Sequence, residues 1–129
     1  MECKYVKPLT NTALISDFFS GYDVDVPQGF SDFFVANNGG RPESNECSTK
    51  DGSERIVNNF LSFNMEDKEN VYKAARRVAE DNDKLIPFAK DPGGDYFCLL
   101  DNKVVIWSHE DGGTIDIADT FKSFCTMLN

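Results

Sequence analysis

The segment between Leu85 and His109 constrains the fold more than any other, because three short apolar runs are separated by two turns. The first turn spans Asp91–Gly94 and the second contains Asp101 and Asn102, residue types that adopt the backbone angles of tight reversals. Short apolar runs joined by such turns predict an antiparallel meander of three strands. Parallel neighbours would need a long crossover connection, which these turns are too short to provide.

Two aromatic helices are predicted before the meander. Asn11 is a favourable N-cap for a helix over Thr12–Ser20, and Gly21 ends that helix. A second helix follows Pro27, where phenylalanines recur at helical spacing until the glycines after Asn38 stop it. These phenylalanines are Phe30, Phe33 and Phe34. Aromatic residues at this spacing predict packing into the core.

Two more helices flank the meander. Asn64 is the predicted N-cap of a helix over about Met65–Asn82, with Asp67 in its first turn. Its apolar stripe is Val71, Ala75, Val78 and Ala79. Asp119 is the predicted N-cap of the last helix, whose apolar residues at i, i+3, i+4 and i+7 should lie on the sheet. They are Phe121, Phe124, Cys125 and Leu128.

The remaining segments are less regular. Arg41–Ser53 is polar and is either a long loop or the ragged edge of an early strand pair. Alternation at Leu61–Phe63 predicts a strand ending near Phe63, and Ile115–Ile117 predicts a brief final strand or an extended link. Strands grouped in the second half and flanked by helices indicate an α+β fold with an antiparallel β-sheet.

Composition limits the functions available to this chain. Its 129 residues suit one domain over residues 1–129, and 22 acidic against 13 basic residues give a net charge of −9. That balance opposes binding to nucleic acid, which relies on clustered cations. No apolar signal region or membrane-length apolar run is present, so we expect a cytoplasmic protein that does not associate with membranes. Widely scattered cysteines without a secretion signal predict free thiols, with Cys98 and Cys125 in the core.

Catalytic motifs are weak in this sequence. Ser108, His109 and Glu110 are adjacent, but neighbours along an extended strand point to opposite faces and cannot form a relay. The lone histidine is expected to partner a nearby carbonyl or carboxylate. Metal-ligand spacings are missing, and the glycines at Gly39 and Gly93 do not open a helix that could cradle phosphate. We therefore expect no catalysis, no cofactor and no metal, with a small enzyme as the less favoured alternative.

Three pieces of the chain together resemble the SUKH superfamily, which includes the yeast Smi/Knr cell-wall regulator and many bacterial toxin-immunity proteins. The first is Val26–Pro42, with Pro27 before an aromatic helix and an Asn-Gly-Gly-x-Pro turn. The second is Pro87–Glu110, and the third is Ile117–Phe124. The matching motif residues are Pro27, Asn38, Gly39, Gly40, Pro42, Pro87, Gly94, Asp95, Trp107, His109, Phe121 and Phe124.

The resemblance implies a non-catalytic module of SUKH-like fold that binds protein. In bacteria such a module is typically an immunity protein that blocks a cognate toxin, often a nuclease; a regulatory or scaffolding domain is the alternative. Arg41–Arg55 matches no motif and is a candidate for partner choice. An acidic protein suits a basic toxin surface.

Candidate partner-binding residues lie near the end of the meander. Glu110, Asp111 and Asp116 are expected in an exposed loop interrupted by glycines. Trp107 would be an aromatic anchor, although its apolar run favours core packing. His109 and Asp95 complete the set. The oligomeric state is open at this point.

Overall fold

The computed structural model describes residues 1–128, which form nine strands and four helices. The strands are β1 Cys3–Lys4, β2 Arg41–Pro42, β3 Glu46–Ser48, β4 Glu54–Ile56, β5 Asn59–Phe60, β6 Ile86–Lys90, β7 Tyr96–Leu100, β8 Lys103–Trp107 and β9 Thr114–Ala118. The helices are α1 Ala13–Phe19, α2 Phe30–Asn37, α3 Val71–Ala79 and α4 Phe121–Met127. No helix within residues 1–128 is long and apolar enough to span a membrane.

The main sheet has five antiparallel strands in the order β5-β6-β7-β8-β9. This arrangement confirms the predicted meander: Phe97 faces Ile106 across the β7–β8 ladder, and Asp101 and Asn102 take positive φ angles of 50° and 68° in the turn between them. The apolar pair Ile115 and Ile117 belongs to β9, so the final segment is a strand instead of a link. The α+β class follows from this sheet and the helices beside it.

Side chains alternate between two buried layers on opposite faces of the sheet. On one face, Phe97, Val104 and Ile106 join a large core that holds most of the phenylalanines. On the other face, Cys98, Val105 and Trp107 meet Val78 of α3 and Leu85 in a much smaller cluster. The predicted stripe of α4 packs on the large side, where Phe121, Phe124 and Leu128 are at most 3% exposed.

The third helix begins later than the sequence pattern predicted. It starts at Val71, and its N-cap is Asn70, whose side chain accepts a hydrogen bond from the Lys73 backbone amide at 2.9 Å. Asn64 is unavailable as a cap because its side chain bonds the amino-terminal segment, accepting from Thr10 N at 3.0 Å and donating to Pro8 O at 2.9 Å. The buried face of α3 is Val71, Ala74 and Val78.

The last helix also has a different cap from the predicted Asp119. Thr120 is the N-cap, and it forms a reciprocal capping box with Ser123. The carboxylate of Asp119 instead accepts from Lys50 Nζ at 2.5 Å. The sequence pattern pointed to Asp119 because Asp and Thr are both common N-caps. Only the tertiary contact of Asp119 with Lys50 shows that Thr120 is the cap.

The ambiguous segment after Arg41 is a strand pair. The antiparallel strands β3 and β4 place Glu46 opposite Ile56 and Ser48 opposite Glu54. Their inner face carries Cys47, which is buried against the large core. This hairpin lies beside the main sheet, where the Lys50 backbone amide donates to Asp116 O of β9 at 2.8 Å.

Candidate protein-interaction site

The hairpin β3–β4 and the turn between β6 and β7 meet at Arg55. The guanidinium Nη1 of Arg55 lies 3.3 Å from Asp95 Oδ2 and 3.9 Å from Asp91 Oδ2. Both acids belong to the β6–β7 turn, and their side chains are only 12–14% exposed. The single cation on the inner face of the hairpin is therefore neutralised by two carboxylates of the meander.

Asp95 also holds the loop that begins at Ser108. Its Oδ1 atom accepts from the His109 backbone amide at 3.1 Å and lies 2.6 Å from the His109 ring Nδ1. Burial raises the pKa of the Asp95 carboxyl, but the hydrogen bonds from His109 and Arg55 outweigh it, and the pKa falls below its usual range. Gly94, at φ +99°, allows the turn to present Asp95 in this position.

The adjacent residues Ser108, His109 and Glu110 lie beyond the end of β8, in a turn. Ser108 Oγ accepts from the Glu110 backbone amide at 3.3 Å, while the His109 ring faces Asp95. The histidine thus has the carboxylate partner expected of a residue at a strand end. Within residues 1–128, no group of three or more His, Cys, Asp or Glu side chains is placed to hold a metal ion.

The three acids predicted in one exposed loop occupy two different environments. Glu110 and Asp111 are exposed in the β8–β9 loop, and Asp111 Oδ1 only caps the turn by accepting from Gly113 N at 2.8 Å. Asp116 instead lies in β9, and its carboxylate pairs with Lys103 Nζ at 3.2 Å. The loop assignment of Asp116 was wrong because the alternation of Ile115 and Ile117 extends the strand through it.

Trp107 is fully buried, as the core interpretation of its apolar run predicted. Its ring stacks on Tyr96 at 5.9 Å between centroids, and Arg77 lies 5.0 Å over its centroid. Its Nε1 donates to Asp81 Oδ2 at 3.0 Å. A direct contact between Trp107 and a partner would need an exposure that this side chain lacks.

Asp81 brings a second acidic segment to the β8–β9 loop. A Cβ added at Gly112, which has φ +75°, would lie 2.6 Å from the Asp81 carboxyl carbon. The positive φ favours glycine at this position, and the loop passes directly over the Asp81 carboxylate. Asp81 and Glu110 are 29 positions apart in the sequence. The fold therefore joins the exposed acids Asp81, Glu110 and Asp111 in one surface.

The outer face of the hairpin adds apolar area near these acids. Ile56 is 43% exposed, and Glu46 lies directly across the ladder from it. The depression beside Ile56 has a volume of about 420 Å³ and is also lined by Glu54 and Pro92. A second depression of about 260 Å³ contains Arg55, Asp95, Asp111 and Ile115, the last of which is 36% exposed.

We call this surface the acidic face. It comprises Glu46, Glu54, Arg55, Ile56, Asp81, Asp95, His109, Glu110, Asp111 and Ile115. Sequence reasoning identified the loop acids, His109 and Asp95, but missed Ile56, Ile115 and Asp81. The three-residue strands of the hairpin were too short to give a clear alternation, so nothing in the pattern marked Ile56 as exposed.

The Asn-Gly-Gly-x-Pro turn lies elsewhere and joins three segments. Asn38 is fully buried; its Nδ2 donates to Lys7 O at 2.7 Å and Ser62 Oγ at 2.9 Å, and its Oδ1 accepts from Phe63 N at 2.9 Å. Gly40 approaches Cys3 so closely that an added Cβ would lie 2.8 Å from the cysteine Cβ. Pro42 then pairs with Cys3 in the β1–β2 ladder.

Other motif residues have structural roles. Pro87 lies at the register shift between β6 and β7, and Pro27 precedes α2 at the half-buried start of that helix. Phe121 and Phe124 pack edge-on against Phe88 at 5.4 Å each. These contacts explain the aromatic spacing of the motif through core packing.

A family model for the SMI1 / KNR4 family (SUKH-1) matches residues 10–127, which is nearly the whole chain. The chain belongs to the SMI1/KNR4 family. The match includes both the motif turn and the acidic face, so this SMI1/KNR4 protein carries the site within the family domain. The SUKH resemblance of the three sequence pieces is thereby confirmed.

A solved structure supports the fold. A protein from Pseudomonas syringae pv. tomato, known from its crystal structure, is similar with a TM-score of 0.51 and 15% identity over 84% of this chain and 75% of that one. At this identity the likeness concerns the fold alone. No curated protein matches the SMI1/KNR4 chain.

Proposed function

We propose that this SMI1/KNR4 protein is a non-catalytic, cytoplasmic binding module that neutralises a cognate bacterial toxin with a basic surface, such as a nuclease. Family membership is consistent with a module that binds protein, and the acidic face supports the chemistry of the partner. A nuclease needs a basic surface for its substrate, so an acidic inhibitor can occupy that surface by charge complementarity.

The observation that carries the proposal is the combination of exposed acids and exposed isoleucines on one face. Glu110 and Asp111 make no ion pair within residues 1–128, while Arg55, the hairpin cation that shares a depression with Asp111, is held by Asp91 and Asp95. Apolar residues bounded by charges are the usual composition of an inhibitory interface, which buries roughly 800 Å² on each partner.

The first test reverses the loop acids. In the Glu110→Lys/Asp111→Lys variant we expect slower association with the toxin, because long-range attraction to a basic surface is lost. The matched control is Asp23→Lys/Asp25→Lys, which changes the net charge equally at exposed acids outside the acidic face. The measurement is the association rate constant with the purified cognate toxin.

Salt sharpens this test. Raising ionic strength from about 0.01 M to 1 M shortens the screening length from about 30 Å to 3 Å, so association of the wild type should slow markedly and that of the loop variant much less. Association that does not respond to salt would show that the acidity serves only solubility. If the loop variant and the Asp23→Lys/Asp25→Lys control associate with the toxin at the same rate, the interface lies outside this loop.

The second test removes the apolar contact of the hairpin. Ile56→Ala should accelerate dissociation of the toxin by about 10-fold or more, since central apolar contacts mainly determine the dissociation rate. Val35→Ala is the control, because Val35 is also exposed, at 52%, but lies on α2. Equal dissociation rates for the two variants would exclude the hairpin from the interface.

Absence of catalysis has its own test. His109→Ala should alter stability or binding alone, because the His109 ring and amide hold Asp95 and the loop. Hydrolytic activity of the pure protein that disappears in this variant would contradict the proposal. A cellular partner that is not a toxin, bound through the same face, would support the regulatory or scaffolding alternative.

A further inference from the structure

A second concave surface has the opposite charge to the acidic face. It has a volume of about 460 Å³ and lies where β1, the motif turn and the segment before α3 meet. We call it the basic pocket. Its lining includes Tyr5, Lys7, Gly39, Arg41, Lys68 and Glu69. Three cations around one cavity are unexpected in a chain with a net charge of −9.

The cations of the basic pocket have no carboxylate partners within residues 1–128. Lys7 and Lys68 make no ion pair, and the guanidinium of Arg41 lies over the Tyr5 ring at 5.9 Å from its centroid. The one acid in the lining, Glu69, already accepts from Lys90 Nζ at 2.9 Å. The positive charge of the pocket is therefore uncompensated by its own walls.

The motif turn positions two of these residues, Lys7 and Arg41. Lys7 N donates to Asn38 O at 2.8 Å, and Asn38 Nδ2 donates back to Lys7 O at 2.7 Å. Gly39 has φ +66°, which favours glycine, and a Cβ added there would lie 3.3 Å from the Lys7 side chain, so this lysine packs closely over the turn. The turn then continues into Arg41 of β2.

The backbone conformation of Tyr5 is unusual for an exposed aromatic residue. Its φ is +58°, in the left-handed region that is costly for an aromatic residue, yet 72% of the residue is exposed. A ring kept at the surface in this way supports the Arg41 guanidinium and offers apolar area beside the cations.

From these observations we propose that the basic pocket binds a small phosphate monoester. Three cations match the doubly charged group and its three acceptor oxygens, whereas one carboxylate would need only one of them. Arg41 can bind two oxygens at once, with Lys7 and Lys68 as further donors. The volume is in the range of small-molecule sites. This proposal is independent of toxin binding.

The test is a titration with adenosine monophosphate, followed by backbone amide chemical shifts. Adenosine is the control without phosphate, and acetate is the control for a carboxylate. We expect the monophosphate to shift the amides of Tyr5, Lys7, Gly39 and Arg41, with little response to either control. Equal shifts with adenosine or acetate, or shifts confined to other regions, would overturn the proposal.

Variants localise the charge. Lys7→Gln/Arg41→Gln/Lys68→Gln should weaken binding by about 10-fold or more, because each cation supplies a charge-assisted hydrogen bond. The control Arg76→Gln/Lys84→Gln/Lys122→Gln removes the same charge from exposed residues outside the pocket lining. An equal loss in both variants would show a diffuse charge effect and refute a site. Circular dichroism checks folding, and single Arg41→Gln replaces the triple variant if that one unfolds.

Discussion

The two faces of the five-stranded sheet are stabilised by different means. One face buries a large cluster that includes the rings of Phe30, Phe88 and Phe124, each fully buried and in contact with other aromatic rings. The other face has five fully buried side chains among the described residues, and Trp107 is fastened there by a hydrogen bond to Asp81 and by Arg77. We call the side with the large aromatic cluster the thick face and the side with Trp107 the thin face. The thin face depends on a few specific contacts, and those contacts also position the β8–β9 loop with its exposed acids.

The largest difference should appear when a core side chain is truncated on each face. Phe124→Ala should lower the free energy of unfolding by about 3 to 5 kcal/mol, since it leaves a cavity among close-packed rings. Val78→Ala on the thin face should cost about 2 kcal/mol, because it removes two buried methyl groups. Urea denaturation measures both. Equal losses would mean that the two faces contribute similarly to stability.

The helix caps give the next largest contrast. Asn70→Ala should cost about 2 to 3 kcal/mol, because its buried side chain caps α3 and also donates to Met65 O and Asp67 O. Thr120→Ala removes the exposed capping box of α4 and should lower the free energy of unfolding by about 1 kcal/mol. The comparison is made by thermal denaturation. A larger loss at Thr120 would contradict the expectation that a buried cap with several bonds contributes more to stability than an exposed one.

Trp107→Phe tests the polar fastening of the thin face directly. It removes the Nε1 donor to Asp81 while keeping an aromatic ring, so we expect a loss of about 1 to 2 kcal/mol. Asp81→Asn keeps an acceptor and should lose less. Amide exchange should also accelerate in the loop at Gly112, which packs on Asp81. Unchanged exchange in Trp107→Phe would separate the loop from the tryptophan.

The smallest effect concerns acid. The pKa of Asp95 is lowered in the folded protein, so its contribution to stability is present above its unfolded pKa of about 3.9 and is lost as pH falls through the lower folded value. Asp95→Asn should therefore flatten the decline of stability between about pH 5 and pH 3 and cost less than about 1 kcal/mol at neutral pH. Asp23→Asn, an exposed control, should keep the wild-type slope.

Local patterns predicted the parts of the fold whose residues interact with near neighbours in sequence. The meander follows from apolar runs and turn residues within 25 positions, and the stripe of α4 follows from its helical period. The start of α3 was mispredicted because Asn64 bonds Thr10 and Pro8, more than 50 positions away. A cap residue that finds a distant partner cannot be recognised from its local pattern.

The candidate site shows the same division. Glu110, Asp111, His109 and Asp95 were expected near the meander because they follow or precede its strands in sequence. That the carboxylate partner of His109 is Asp95 became known only from the structure, which brings the end of β8 beside the start of β7. Arg55 and Ile56 were recognised as part of the candidate site only from the structure, in which the β3–β4 hairpin lies beside the sheet. The short strands of that hairpin have too little periodicity to specify their exposed face.

By itself, the amino-acid sequence determined the α+β class, the antiparallel meander, the aromatic core and the acidic character, because these depend on composition and on periods of two or 3.6 residues. Tertiary structure alone decided that Asp116 pairs with Lys103, that the Trp107 indole donates to Asp81, and that one end of the sheet gathers acids from separate segments. It also decided that three cations surround the motif turn. Such contacts depend on how segments distant in sequence pack together, and a periodic pattern describes only residues that are near one another in sequence.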